Sequence, residues 1–304
     1  MSVSAMPSNP EVSVRSQALA GVFWVGLDLG PQVIRAGVYD SALRCQGKIK
    51  LSAKLERGPE AVIERMARCI RYAADECDLD LEQIRGIGLA IPGLVERASG
   101  KVVSAAALEW SDVSITGQLE STLPVPVTAA NYYHLAALGI LATEVPEPPR
   151  TFAALFPGPS IGGALITSGD EPEFSPAPSH ADAENVFHVM PGEEFRHYRG
   201  KDFKRALRKG NHAVEQYIRA VALRTGEIAR HLIDTQTPEV IAIGGGAMSE
   251  MRDELMGLIQ YTAEAGGVRS PVRWLASQLG DYAPLAGGAA LAARSFGVPH
   301  PASR

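Results

Sequence analysis

The sequence predicts an α/β fold built as two similar lobes, and three observations predict it. A hairpin pattern spans Val22–Asp40, a second spans Thr151–Thr167, and a strand at Glu239–Ile243 runs straight into Gly244-Gly245-Gly246 and a helix. Apolar residues alternate along each hairpin strand, and a short apolar run ending in glycines marks a strand that enters a helix. The proline-rich stretch Thr143–Arg150 separates the hairpins, and beyond it the chain restarts the same plan.

Composition narrows the class. A chain of 304 residues is long enough for two domains, each with its own core. Its 46% hydrophobic and 21% charged content excludes global disorder. A net charge of −5 argues against broad attraction to nucleic acid or to an anionic membrane. Cys45, Cys69 and Cys77 are odd in number and predict a reducing compartment without a disulfide framework. Residues 1–20 are rich in Ser and Pro, lack a signal-peptide pattern and are expected to form a flexible tail. No uncharged apolar run reaches membrane-spanning length, so a cytoplasmic location is expected.

In chain order, Asp28-x-Gly30 sits at the turn of the first hairpin. Gly30 lets the backbone approach a phosphate, and Asp28 suits a phosphate-bound Mg²⁺ held through water; the same residues also make an ordinary hairpin with a turn aspartate. Leu51–Leu55 reads as a third strand. Pro59 opens a helix whose stripe is Val62, Met66, Cys69, Ala73 and Cys77. Ile84–Ile91 is a buried strand ending in Pro92-Gly93, Lys101–Val103 and Val125–Val127 are short strands, and Ala129–Ala142 is a helix with Asn131 near its N-cap. Ser168–Asp182 reads as an exposed loop, His212–Asp234 as a long amphipathic helix, Ser249 as the cap of the helix after the glycines, and Pro271–Trp274 as the last strand. Pro284–Ser295 is a small-residue helix able to pack tightly. The expected division is an N-terminal lobe of residues 21–130 joined by about 286–300, and a C-terminal lobe of residues 131–285.

Four stretches carry a resemblance: LDLGPQVIRAGVYD, GIGLAIPG, AANYYHLAALGI, and IAIGGGAMSE with PLAGGAALA. In that order they resemble the ROK family of sugar kinases and repressors, from Val22 to about Ser295. The resemblance implies an actin-like ATPase (ribonuclease H-like) fold with an interlobe cleft. It also implies ATP held between glycine turns, a hexose beneath it, and a homodimer. In such kinases a sugar hydroxyl attacks the γ-phosphate while an aspartate takes its proton and Mg²⁺ offsets the phosphate charge. Carried over to this sequence, Asp28 would serve Mg²⁺, and Gly30, Gly158, Ser160, Gly162, Gly244 and Gly245 would hold ATP. Asn131, Glu184, His188 and Trp110 would face the sugar.

The departures from the family pattern fall on its chemistry. Tyr132 stands where the catalytic aspartate belongs, and a phenol with a reference pKa near 10 is a poor general base. Losing such a base costs about 10²–10⁴ in rate. His134 offers another base, but two residues along a helix lie on another face. Pro31 and Pro159 each remove an N–H from a phosphate turn. The family's zinc site is expected to be absent, because no cysteine follows Cys77. Trp110 is either an aromatic wall for sugar or core packing; Glu184 either lines a sugar pocket or is solvated. The basic run Arg196–Lys209 is either a solvated face or a grip for phosphate or an acidic partner. With about twenty residues before the hairpin, no DNA-binding winged helix is expected. Two functions follow. One is a degenerate relative that binds a sugar, sugar phosphate or nucleotide with little or no kinase activity. The other is an active ATP-dependent kinase for a hexose, amino sugar or cyclitol, using Asp28 and an unusual base.

Overall fold

A computed structural model describes residues 21–158, 160–167, 173–176, 186–188, 195, 198, 200–265, 267 and 271–297. Strands β1 (Phe23–Leu29) and β2 (Val33–Tyr39) form an antiparallel hairpin in which Asp28 lies opposite Arg35. Strand β3 (Cys45–Ser52) adds antiparallel to β2, and helix α1 (Pro59–Asp75) follows. Strand β4 (Ile84–Ile91) then returns parallel to β1. A separate meander of β5 (Leu94–Glu96), β6 (Lys101–Ala105) and β7 (Trp110–Ser114) leads through α2 (Ile115–Thr122) to β8 (Val127–Asn131), which lies parallel to β4. The sheet order is β3-β2-β1-β4-β8. Helix α1 buries Val62, Met66, Cys69 and Ala73, the three-and-four-spaced stripe its sequence carries.

The second half opens with α3 (Tyr132–Glu144), then the hairpin β9 (Thr151–Phe156) and β10 (Ser160–Thr167), with β11 (Glu173–Pro176) and β12 (Val186–His188) both paired to β10. Helices α4 (Gly200–Arg208) and α5 (His212–Gln236) precede β13 (Val240–Ile243), α6 (Gly246–Glu264) and β14 (Arg273–Ala276). Strand β13 runs parallel to both β9 and β14, so an antiparallel hairpin followed by parallel strands recurs, as in the first sheet. Among the described residues no helix is long and apolar enough to cross a membrane.

The last helix, α7 (Ala283–Phe296), ties the halves together. Gly26 and Gly88 are register neighbours in β1 and β4. A Cβ on Gly26 would overlap the carbonyl of Leu285, and one on Gly88 the carbonyl of Gly288. On its other side, a Cβ on Gly287 would overlap the carbonyl of Leu135 in α3. Helix α7 therefore lies backbone against backbone on the first sheet and on α3, an approach that only residues without side chains permit.

Several boundaries differ from the sequence expectations. The third strand runs over Cys45–Ser52, because the β2 register continues unbroken from Val33↔Ser52 to Gly37↔Lys48; Leu55 falls in a short 3-10 turn. Helix α3 starts at Tyr132, since residues 127–131 finish β8 before Asn131 caps the helix. Gly245, with φ of 91°, and not Ser249, is the N-cap of α6. The expected loop Ser168–Asp182 contains strand β11, and the last strand is shifted to Arg273–Ala276.

Candidate functional site

The hairpin register sets the centre of the site. Asp28, completely buried near the end of β1, accepts from Arg35 Nη1 at 2.8 Å through its Oδ2. Arg35 Nη2 reaches Asp281 Oδ2 at 3.2 Å, so one guanidinium joins two carboxylates far apart in sequence. Asp28 Oδ1 has no hydrogen-bond partner. Burial lifts the Asp28 carboxyl to about 6, outweighing the lowering by Arg35, and Asp281 adds to the lift. Asp281 lies in the Gly280–Tyr282 turn before α7, its Oδ1 2.5 Å from where a Cβ on Gly246 would stand, at the start of α6.

Beside this chain of charges opens a cavity of about 720 Å³. One wall comes from the first hairpin and β3, through Gln32, Val33, Arg35 and Lys50; the facing wall comes from Gly158, Lys201, Phe203, Tyr217, Gly246 and Met251. The Phe203 and Tyr217 rings are stacked with centroids 5.5 Å apart, and Tyr198 packs on Phe203 at 5.2 Å. The buried Tyr217 hydroxyl on this wall has no hydrogen-bond partner. Lys48 stands 3.7 Å over the Tyr282 ring at the rim. Of the basic run, Lys201 lines the cavity, and Lys204 Nζ donates to the Glu250 carbonyl at 3.1 Å.

Asn131 and Tyr132 lie where β8 becomes α3. The Asn131 side chain accepts from Tyr133 N at 2.8 Å as an N-cap and donates to the Gly93 carbonyl at 2.9 Å. Burial raises the Tyr132 phenol further, and the charges of Asp28 and Asp281 add to that, so it stays protonated. Tyr132 meets Tyr133 edge-on at 5.2 Å, and Tyr133 meets Phe156 at 5.6 Å. This aromatic row covers two glycines expected to serve ATP: a Cβ on Gly162 would overlap the Tyr133 ring, and one on Gly244 would come within 2.9 Å of Phe156. His134 lies within reach of the Arg97 charge; burial and Arg97 pull its imidazole down to about 4, so it is neutral at physiological pH.

The other expected site residues are dispersed. Gly30 donates its N–H to Val33 O at 2.9 Å, closing the hairpin turn. Gly158 lines the cavity, Gly245 caps α6, and the Ser160 backbone pairs opposite His188. Trp110 corrects an expectation: its ring is buried in the core of the first lobe with Leu108, Ile115 and Leu119, and it is not among the described residues lining the cavity. Glu184, Asp182 and Pro159 lie outside the described residues. Asp112 pairs with Lys101 at 2.7 Å on the meander. Sequence reasoning missed Arg35, Lys50, Asp281 and the Tyr198–Phe203–Tyr217 rings. Only Arg35 had a usable signal, its place opposite Asp28 across a tight turn.

Two α/β sheets, a cleft between them and a helix packed on the first sheet and on α3 define the two-lobed actin-like ATPase fold. The ROK family model matches residues 24–170 and 182–295, and the chain belongs to the ROK family. The structure of a ROK family glucokinase from Streptomyces griseus in complex with glucose and AMPPNP superposes with a TM-score of 0.74 at 19% identity, covering 90% of this chain and 99% of that one. A glucokinase of Halalkalibacterium halodurans is 22% identical over 148 residues, 49% of this chain and 45% of the relative. A putative xylose repressor of a Caldicellulosiruptor species is 30% identical over 115 residues, 38% of this chain and 29% of the relative. The chain thus spans less than half the length of the curated relatives it matches.

Proposed function

We propose that this protein binds a sugar, a sugar phosphate or a nucleotide in the interlobe cleft and has little or no kinase activity. The observation that carries the reading is Tyr132: a phenol kept protonated by burial and by two neighbouring carboxylates cannot collect a proton from a sugar hydroxyl. The cavity fits a nucleotide-sized ligand. Tyr198, Phe203 and Tyr217 would hold a flat ring, and Lys50 and Lys201 would face an anionic group. Thermal-shift screening with nucleotides and sugars measures binding, and a coupled assay with Mg-ATP against hexoses, amino sugars and cyclitols measures turnover. Binding without turnover is the expected result; robust turnover overturns the reading. The same reading includes the lobe division at residues 130–131 with α7 returning to the first lobe, a homodimer and a cytoplasmic location.

A second reading, an active ATP-dependent sugar kinase, is favoured by one observation: burial lifts the Asp28 carboxyl to about 6, near the range in which a general base works, and its charge is felt at Tyr132. Under that reading Asp28→Asn abolishes turnover, and turnover that survives the substitution refutes it.

A further inference from the structure

We propose that the Arg35 guanidinium is the resident cation of this site, lying between Asp28 and Asp281 where a divalent metal would otherwise sit, so that the protein takes its ligand without Mg²⁺. Mg²⁺ is implied for Asp28 by the family, and the residues present do not fit it. Mg²⁺ needs close to octahedral oxygen coordination at about 2.0–2.1 Å and keeps several of its waters. Asp28 is completely buried, and its Oδ2 is already 2.8 Å from Arg35 Nη1. A metal on the remaining oxygen, Oδ1, would share one carboxylate with a guanidinium in a site that water screens poorly. The second carboxylate, Asp281, whose side chain is 56% exposed, meets the same guanidinium through Nη2 at 3.2 Å.

The arrangement is fixed by the fold. Asp28 and Arg35 are opposed by the β1–β2 register, and the Arg35 side chain is only 16% exposed. Arginine remains charged at any physiological pH, is not removed by chelators and does not enter or leave with a nucleotide. An anionic group in the adjoining cavity would meet Arg35, Lys50 and Lys201 as fixed charges, and would bind as the free anion and not as a metal chelate. This inference shares its site with the binding role proposed above but is read out by metal uptake alone, so either can fail without the other.

The test is titration of the full chain with Mn²⁺ as the probe, following free Mn²⁺ by electron paramagnetic resonance. Wild type is expected to show no Asp28-dependent uptake. Arg35→Met, with an unchanged circular dichroism spectrum, is expected to gain one Mn²⁺ with an affinity at least roughly tenfold above wild type, because a like charge has been removed. Asp28→Asn in that background should abolish the gain. The inference is overturned if wild type takes up one Mn²⁺ that Asp28→Asn removes, or if folded Arg35→Met gains none. Should Arg35→Met not fold, the comparison of wild type with Asp28→Asn decides alone: Asp28-dependent uptake overturns the proposal, and its absence supports it.

Discussion

Replacing Asp28 by Asn tests whether burial or the ion pair dominates at the centre of the site. The carboxyl is lifted from its usual 3.8 to about 6, with burial as the largest cause. A folded-state pKa above the unfolded one means that the native protein holds a proton more tightly than the unfolded chain between those values. Stability from the protonated form is therefore fully present below about pH 3.8 and is lost as the pH rises through about 6. That lift of about two pH units corresponds to about 3 kcal/mol. The assay is urea unfolding of wild type and Asp28→Asn in parallel across this range, with the variant cancelling every other titration. Wild-type stability relative to the variant should fall by about 3 kcal/mol between about pH 3 and pH 8. A difference that is flat, or that rises with pH, would refute the reasoning; a rise would mean that Arg35 outweighs burial and holds the carboxyl below its usual value.

Gly88→Ala should destabilise the fold by about 3 kcal/mol or more, since the new methyl meets the Gly288 carbonyl, and backbone cannot swing aside as a side chain can; thermal unfolding checks it. Asn131→Ala should cost about 1–2 kcal/mol by removing the α3 cap and the tie to Gly93, measured by urea unfolding. Gly162→Ala should destabilise through its clash with the Tyr133 ring, and Tyr133→Ala in the same chain should recover part of that loss; a double-mutant cycle with no coupling would contradict the contact.

What was legible in the sequence was local or periodic. Both hairpins, the α1 stripe and the small-residue α7 could be read because their patterns repeat every two or every three to four residues. Strand β7 escaped because Ser111-Asp112-Val113-Ser114 lacks an apolar alternation and Asp112 has a positive φ of 56°. Strand β11 escaped because it forms only by pairing with β10. In the site, the Asp28–Arg35 pair follows from the hairpin register, but Asp281 is 246 residues from Arg35, and no local pattern announces that contact. The glycines misled in a different way. Gly162 and Gly244 do meet close neighbours, but these are side chains of this chain: the Tyr133 ring at Gly162, and Ile140 and the Phe156 ring at Gly244.

The aromatic row bears on the proposed lack of kinase activity. If Tyr132 were an isolated loss of the base, Tyr132→Asp would restore the missing carboxylate and recover up to about 10²–10⁴ in turnover. Tyr133 and Phe156, however, continue from Tyr132 across the faces of Gly162 and Gly244, and Asp281 already stands against Gly246 at the start of α6. A carboxylate at position 132 would also enter beside Asp28 and Asp281, whose charges already oppose the ionisation of any group there, so its own pKa would be raised. Tyr132→Asp alone is therefore expected to leave turnover in the coupled assay near the wild-type level. A gain of about a hundredfold from that one substitution would show that the row and the charge chain are no obstacle, and that the missing base was the whole difference.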